Sequence, residues 1–241
     1  MKSLLATLLT VSFIFFSQAL LSQNTNFKPW SENFFAQIEK EYGKPGANRL
    51  RKLHDIVVAN IDKPVAVKLQ ITNDALNQLP WLTDREKYNQ EDYWATPIET
   101  ITTFGGDCED IAIAKYMMLR VLGIPREKLF LGYAKVKKTR EAHMVLVYID
   151  NPNAPEKNVS TLVLDNYVTE ILPGRERKDL LAVFLVDADR NITLISDDGS
   201  NTRGVQSKIK KAKLEKLDKI KKKLIENYEI GKQYNDGRPL Y

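Results

Sequence analysis

Seven consecutive residues of this 241-residue chain carry an unusual density of chemistry: Phe104-Gly105-Gly106-Asp107-Cys108-Glu109-Asp110. Cys108 is the only cysteine. It follows two glycines and sits among three carboxylates, whose charge disfavours a thiolate. Either the thiol is inert or a positive charge offsets its neighbours. A free cysteine commonly serves as a small buried hydrophobe, a role that the surrounding carboxylates oppose. A thiol nucleophile needs a general base, and the base needs a group to orient it. The chain has two histidines. His54 falls inside the helical pattern "RKLHDIVVANI", where a surface or core role is expected. His143 opens a strand pattern 35 residues after Cys108, directly after the polar loop "KVKKTREA". Active-site rims are commonly built from such loops. Asp165 closes the next strand pattern, 22 residues after His143. A buried carboxylate there needs a partner, and pairing of the two strands would offer it the His143 ring. The competing reading is that Asp165-Asn166 merely starts a turn.

The elements that must position these residues are legible in outline. Apolar residues at helical spacing predict helices over 33–40 and 47–61, the second through Leu50, Leu53, Ile56, Val57 and Ile61. A third helix is expected over 65–79. The polar stretch 83–92 reads as a connection. Cys108 is expected to open a strong helix, with Asp107 as N-cap and Asp110 completing a box-like arrangement. Gly123 and Pro125 end it. Beyond this point the apolar period becomes two. "HMVLVYID" and "STLVLDNY" read as strands around the loop at 151–155, and "AVFLVDADRNITLIS" as a hairpin turning at 187–191. Helices first, then one key helix, then antiparallel strands define an α+β chain. Within the hairpin, Asp187, Asp189, Asn191 and Asp198 imitate a calcium-binding helix–loop–helix. Ile192 stands where that loop needs glycine, so a turn is the better reading. A cysteine in the first turn of a helix feels the positive end of its dipole, which lowers a thiol pKa.

The order Cys, His, Asp, on a helix start and two adjacent strands, is the papain-like and transglutaminase-like arrangement. "YWATPIETITTFGGDCEDIAIAKYMMLRVLGI", "HMVLVY" and "LVLDN" resemble the bacterial transglutaminase-like cysteine proteinases over 94–184. The Gly-Asp-Cys-Glu-Asp block is the most specific part of the likeness. The resemblance implies a helical lobe followed by an antiparallel sheet lobe. It implies Cys108 as nucleophile, His143 as base and Asp165 as orienting acid. It further implies a calcium ion on Asp107 and Glu109, with Asp110 a further candidate. A hard dication would absorb the carboxylate charge that otherwise penalises the thiolate. The Cys108 backbone N–H is a candidate for the oxyanion hole, and Trp94 is a second by analogy with transglutaminases. The likeness is closest to periplasmic members that release a large surface adhesin. By implication the substrate is the N-terminal region of such an adhesin, cut at a pair of alanines. The implied inhibitor is an inner-membrane cyclic di-GMP receptor of the LapD type. A transglutaminase-type acyltransferase and a non-catalytic calcium-binding module remain open alternatives at this level.

The start of the chain supports export. Met1-Lys2, an apolar run over 4–16 and Ser17-Gln18-Ala19 have the form of a signal peptide cleaved after Ala19. The expected division is a signal peptide over 1–19, a proteinase domain over 20–200 and a Lys-rich helical tail over 201–241. The helical part of that domain is expected to span about 27–123 and the strand-rich part about 129–196. The net charge of +5 belongs to the tail, since 207–241 hold 11 of the 36 Lys/Arg but only 5 of the 31 Asp/Glu. The body is near neutral, so a pI of 9.0 is no argument for nucleic-acid binding. The tail's apolar stripe, Ile209, Leu214, Leu217, Ile220 and Leu224, suits docking on the body. A membrane-surface contact is the alternative.

Overall fold

The computed structural model describes residues 27–154, 159–187, 192–194, 218, 221, 225, 229 and 231–240. The expected signal peptide, most of the expected 187–191 turn and the apolar stripe of the Lys-rich tail lie outside these residues.

The first helix, α1 (Glu32–Asn60), starts where Ser31 adopts an extended conformation and its hydroxyl accepts the Phe34 N–H. The two predicted helices prove to be its two arms. They meet at Gly43, whose φ of 73° breaks the helical path, and Pro45 restarts it without needing a donor. The next helix, α2 (Val65–Leu76), follows Pro64. The stretch expected to be a mere connection contains a short helix, α3 (Asp84–Tyr88), held by a Thr83/Glu86 capping box. A similar box, Thr96/Glu99, starts α4 (Pro97–Thr102), with proline at its first turn. Both helices are too short for apolar periodicity to show them. The helix carrying the cysteine, α5 (Cys108–Val121), ends before Gly123 (φ 84°).

Six antiparallel strands follow among the described residues: β1 (Leu129–Val136), β2 (Ala142–Ile149), β3 (Thr161–Leu164), β4 (Leu172–Pro173), β5 (Leu180–Val186) and β6 (Ile192–Leu194). Their spatial order is β4-β3-β2-β1-β5-β6. The strands expected within 143–150 and 160–167 are present as β2 and β3, and the arms of the expected hairpin as β5 and β6. Two strands were not expected, the two-residue β4 and β1; β1 lies inside the sheet with β2 on one side and β5 on the other. Its "LFLGYAKV" lacks clean alternation because apolar residues stand on both of its faces from Leu129 to Ala134.

The helices cover one face of the sheet. Leu129, Leu146, Tyr148 and Leu164 from the strands join Phe34, Leu50, Met117 and Leu119 in a single core. Val145, Val147, Ile149 and Val163 pack together in a separate cluster. This places α5 against β2, so the start of the cysteine helix meets the start of the histidine strand. His54 is a core residue: its Nε2 accepts the Trp30 N–H at 2.9 Å, and burial lowers its pKa.

The end of the chain closes on the beginning of α1. Asn235 Oδ1 accepts the Ser31 N–H at 2.7 Å, and Leu240 O accepts the Trp30 indole N–H at 3.2 Å. Leu240 is buried in the main core. Leu240→Ala is therefore expected to destabilise the fold by about 2–4 kcal/mol, read as a lower urea midpoint. An unchanged midpoint would show that this terminus does not stay docked in solution. No helix among the described residues is long and apolar enough to cross a membrane.

Candidate active site

The loop before Cys108 is zipped to residues 80–82. Leu82 N–H donates to Gly106 O at 3.0 Å, and Gly106 N–H to Pro80 O at 3.2 Å. Phe104 is left-handed at φ 60° and Gly105 lies at φ 125°. A left-handed phenylalanine is strained, and strain of this kind gathers at functional loops. A Cβ on Gly106 would lie 2.5 Å from Asp110 Oδ2, so only glycine lets the loop pass over that carboxylate. Gly106 thus sets the distance between the loop and the first turn of α5, and Gly105, whose Cβ would lie 2.6 Å from Pro80 O, its approach to residues 80–82.

Cys108 is the first residue of α5. Its thiol donates to Glu109 Oε2 at 3.0 Å. Burial, followed by the negative charge of Glu109 and Asp107, pushes the thiol pKa up, while the Met144 backbone N–H lowers it. Met144 immediately follows His143 on β2, so the thiol and the imidazole start from neighbouring positions. His143 Nε2 lies 2.8 Å from Asp165 Oδ1. Both residues are buried. Strands β2 and β3 pair with Leu146 opposite Leu164, which brings the start of one beside the end of the other. This is the hairpin pairing that the sequence left as one of two readings for Asp165. Asp165 does more than start a turn. Its Oδ1 accepts the Tyr167 N–H at 3.0 Å, and its Oδ2 accepts Arg177 at 2.6 Å. Burial opposes its charge, but His143, Tyr167 and Arg177 outweigh burial and hold its pKa down at about 2. Arg177 is itself buried and also grips Asp179 at 2.7 Å.

The expected cap at Cys108 is different in the structure. Asp107 has the extended backbone of an N-cap, but its side chain makes no capping hydrogen bond. Asp110 does not close a box; its Oδ1 accepts the Ala95 N–H at 2.7 Å. The carboxylates are turned toward one another instead. Asp84, Asp107 and Asp110 place oxygens within 4.8 Å of each other, and so do Asp84, Asp92 and Glu109. Asp107 Oδ1 and Asp110 Oδ2 are buried with no hydrogen-bond partner. Burial, then repulsion from Glu109, Asp110 and Asp84, pushes Asp107 up to about 9. Burial pushes Asp110 up to about 7. Convergent, buried, hydrogen-bond-starved oxygens are what a hard dication takes as ligands, so the donor set fits calcium. Trp94 lies beside this cluster, its indole N–H donated to Asp92 Oδ1 at 3.0 Å.

Sequence reasoning missed three residues of this site. Asp84 and Asp92 stand in the stretch read as connection; the Thr83-x-x-Glu86 capping pattern was the signal for an ordered element there. Arg177, in "GRERKD", carried no signal, because nothing local marks which of several cations will reach Asp165.

The family behind this arrangement is identifiable. The profile of the bacterial transglutaminase-like cysteine proteinases (BTLCP) matches residues 48–178. The chain belongs to this family of cysteine proteases. Among solved structures it is similar to Legionella pneumophila LapG, at 29% identity over 81% of this chain and 99% of that one, with a TM-score of 0.62. An EGTA-treated form of that protein matches at 28% identity and the same TM-score and coverage. A calcium-bound form matches at 29% identity over 73% of this chain and 99% of that one, with a TM-score of 0.56. A comparison with curated proteins finds no match.

Proposed function

We propose that this chain is a periplasmic, calcium-dependent cysteine endopeptidase that releases a large surface adhesin by cutting its N-terminal region at a pair of alanines. The observation that carries the reading is the 2.8 Å contact between His143 Nε2 and Asp165 Oδ1, placed beside a cysteine at the start of a helix packed on the histidine strand. Asp165 accepts a hydrogen bond from the Nε2–H, which leaves Nδ1 as the atom that takes the Cys108 proton. The thiolate sulfur then attacks the scissile carbonyl carbon. The Cys108 backbone N–H, unpaired at the helix start, faces the developing oxyanion. His143 returns its proton to the leaving amine, and water hydrolyses the acyl-enzyme. Trp94 is the second candidate for the oxyanion hole. Calcium would be held by Asp107, Glu109 and Asp110, with Asp84 and Asp92 added from the α3 region. When bound, it supplies the positive charge that relieves the thiol of its acidic neighbours.

The signal-peptide pattern of residues 1–19 supports export to the periplasm. The likeness to LapG supports the adhesin as substrate, with dispersal of a biofilm as the outcome of release. It also supports inhibition by an inner-membrane cyclic di-GMP receptor of the LapD type. The test incubates purified residues 20–241 and calcium with the N-terminal region of an adhesin from the same organism. A parallel reaction offers a glutamine peptide and a primary amine. Cleavage without cross-linking is expected. Cross-linking without cleavage would convert the assignment to a transglutaminase-type acyltransferase.

A further inference from the structure

Lys115 is a lysine with 1% of its surface exposed, set in the middle of α5. An ammonium in a protein core is costly to desolvate, and nothing in the reaction described above uses it. It lies seven residues after Cys108, two helical turns along the same face. Its Nζ donates to Asn73 Oδ1 at 2.8 Å. Asn73, itself fully buried on α2, donates from Nδ2 to Thr169 O at 2.6 Å. One turn further along, Asn77 Nδ2 donates to Asp165 O at 2.9 Å. The turn 165–169 is thus pinned at one end by α2 and at the other by its C-cap residue Asn77, and α2 is pinned to the nucleophile's helix by Lys115. Between the pins, the Tyr167 N–H donates to Asp165 Oδ1, and the Tyr167 ring stands edge-on to His143 at 6.3 Å. Burial lowers the lysine pKa to about 7, and the charge of Asp165 works against that fall.

We infer that Lys115 is a positioning residue: through Asn73 it braces the 165–169 turn and so fixes Asp165 against His143. One helix then sets the nucleophile at its first residue and the orienting acid two turns later. The inference rests on the reading of Asp165 as the orienting acid.

The experiment compares Lys115→Met, Asn73→Leu and Asp165→Asn in the mature chain with calcium. It measures kcat and KM on the adhesin fragment, melting temperature, and the low-field proton resonance of the His143 Nε2–H. Lys115→Met keeps the length of the side chain and removes the charge. It is expected to fold, to lose about 10- to 100-fold in kcat with KM unchanged, and to shift or lose the low-field resonance. A folded Lys115→Met with kcat and resonance unchanged overturns the inference. So does a loss of activity that only follows a lowered melting temperature, with the resonance intact. If Lys115→Met does not fold, Asn73→Leu decides by the same two readouts, because it cuts the link and leaves the ammonium in place. An Asp165→Asn variant with full kcat would instead remove the reading of Asp165 itself, and this inference with it.

Discussion

Asp165→Asn is expected to lower kcat by about ten-thousandfold, the scale found when the orienting acid of a hydrolase triad loses its charge. The geometry explains why so small a change is so costly. Both carboxylate oxygens of Asp165 accept hydrogen bonds: from Tyr167 N–H and His143 on one side, from Arg177 on the other. An amide has one accepting oxygen. Turned toward Arg177, it presents its NH2 to His143 and selects the imidazole tautomer whose Nδ1 carries the proton. That tautomer cannot take a proton from Cys108 at Nδ1. Turned the other way, the NH2 faces a buried guanidinium, and two sets of donors meet with no acceptor between them. Cys108→Ala removes the nucleophile and is expected to leave no cleavage above background. Single-turnover cleavage of the adhesin fragment measures both variants. An Asp165→Asn enzyme within tenfold of the parent would show that His143 needs no partner here.

Removing calcium is expected to abolish cleavage at neutral pH and to lower the melting temperature in a pH-dependent way. Without a cation, Asp107 and Asp110 have folded-state pKa values of about 9 and about 7, both raised above the ordinary carboxylate range near 4. The unfolded chain therefore releases these protons more readily than the folded one. Cation-free stability is fullest below about pH 4 and falls as the pH rises through 7 toward 9. Calcium held by the folded cluster would take the place of those protons and add about 2.7 kcal/mol at a hundredfold excess over its Kd. A chelator should thus lower the melting temperature strongly at pH 8 and little at pH 5. Asp107→Asn combined with Asp110→Asn should remove the chelator's effect, because the repulsion it uncovers is gone. A melting temperature indifferent to the chelator at pH 8 would dismiss this carboxylate cluster as the cation site.

Cys108, His143 and Asp165 stand at the ends of strongly patterned segments, and element ends are where local sequence signals are sharpest. Capping hid as much as it showed. Asp107-x-x-Asp110 looks like a helix start and is one, yet its side chains point into the acidic cluster instead of onto the helix N–H groups. Backbone position follows from local preference; side-chain direction follows from what else carries charge nearby.

The sequence alone determined an α+β chain with a cysteine opening a helix, a histidine opening a strand and an acid closing the next, since hydrophobic period, glycine and proline act within a few residues of themselves. The tertiary structure alone decided that Arg177 reaches Asp165 and that Asp84 and Asp92 join Asp107, Glu109 and Asp110. It alone buried β1 between two neighbours and set Lys115 under the acid's turn. These are choices among many similar residues far apart in the chain. They are settled by which buried charge needs which partner, and that need exists only once packing has excluded water.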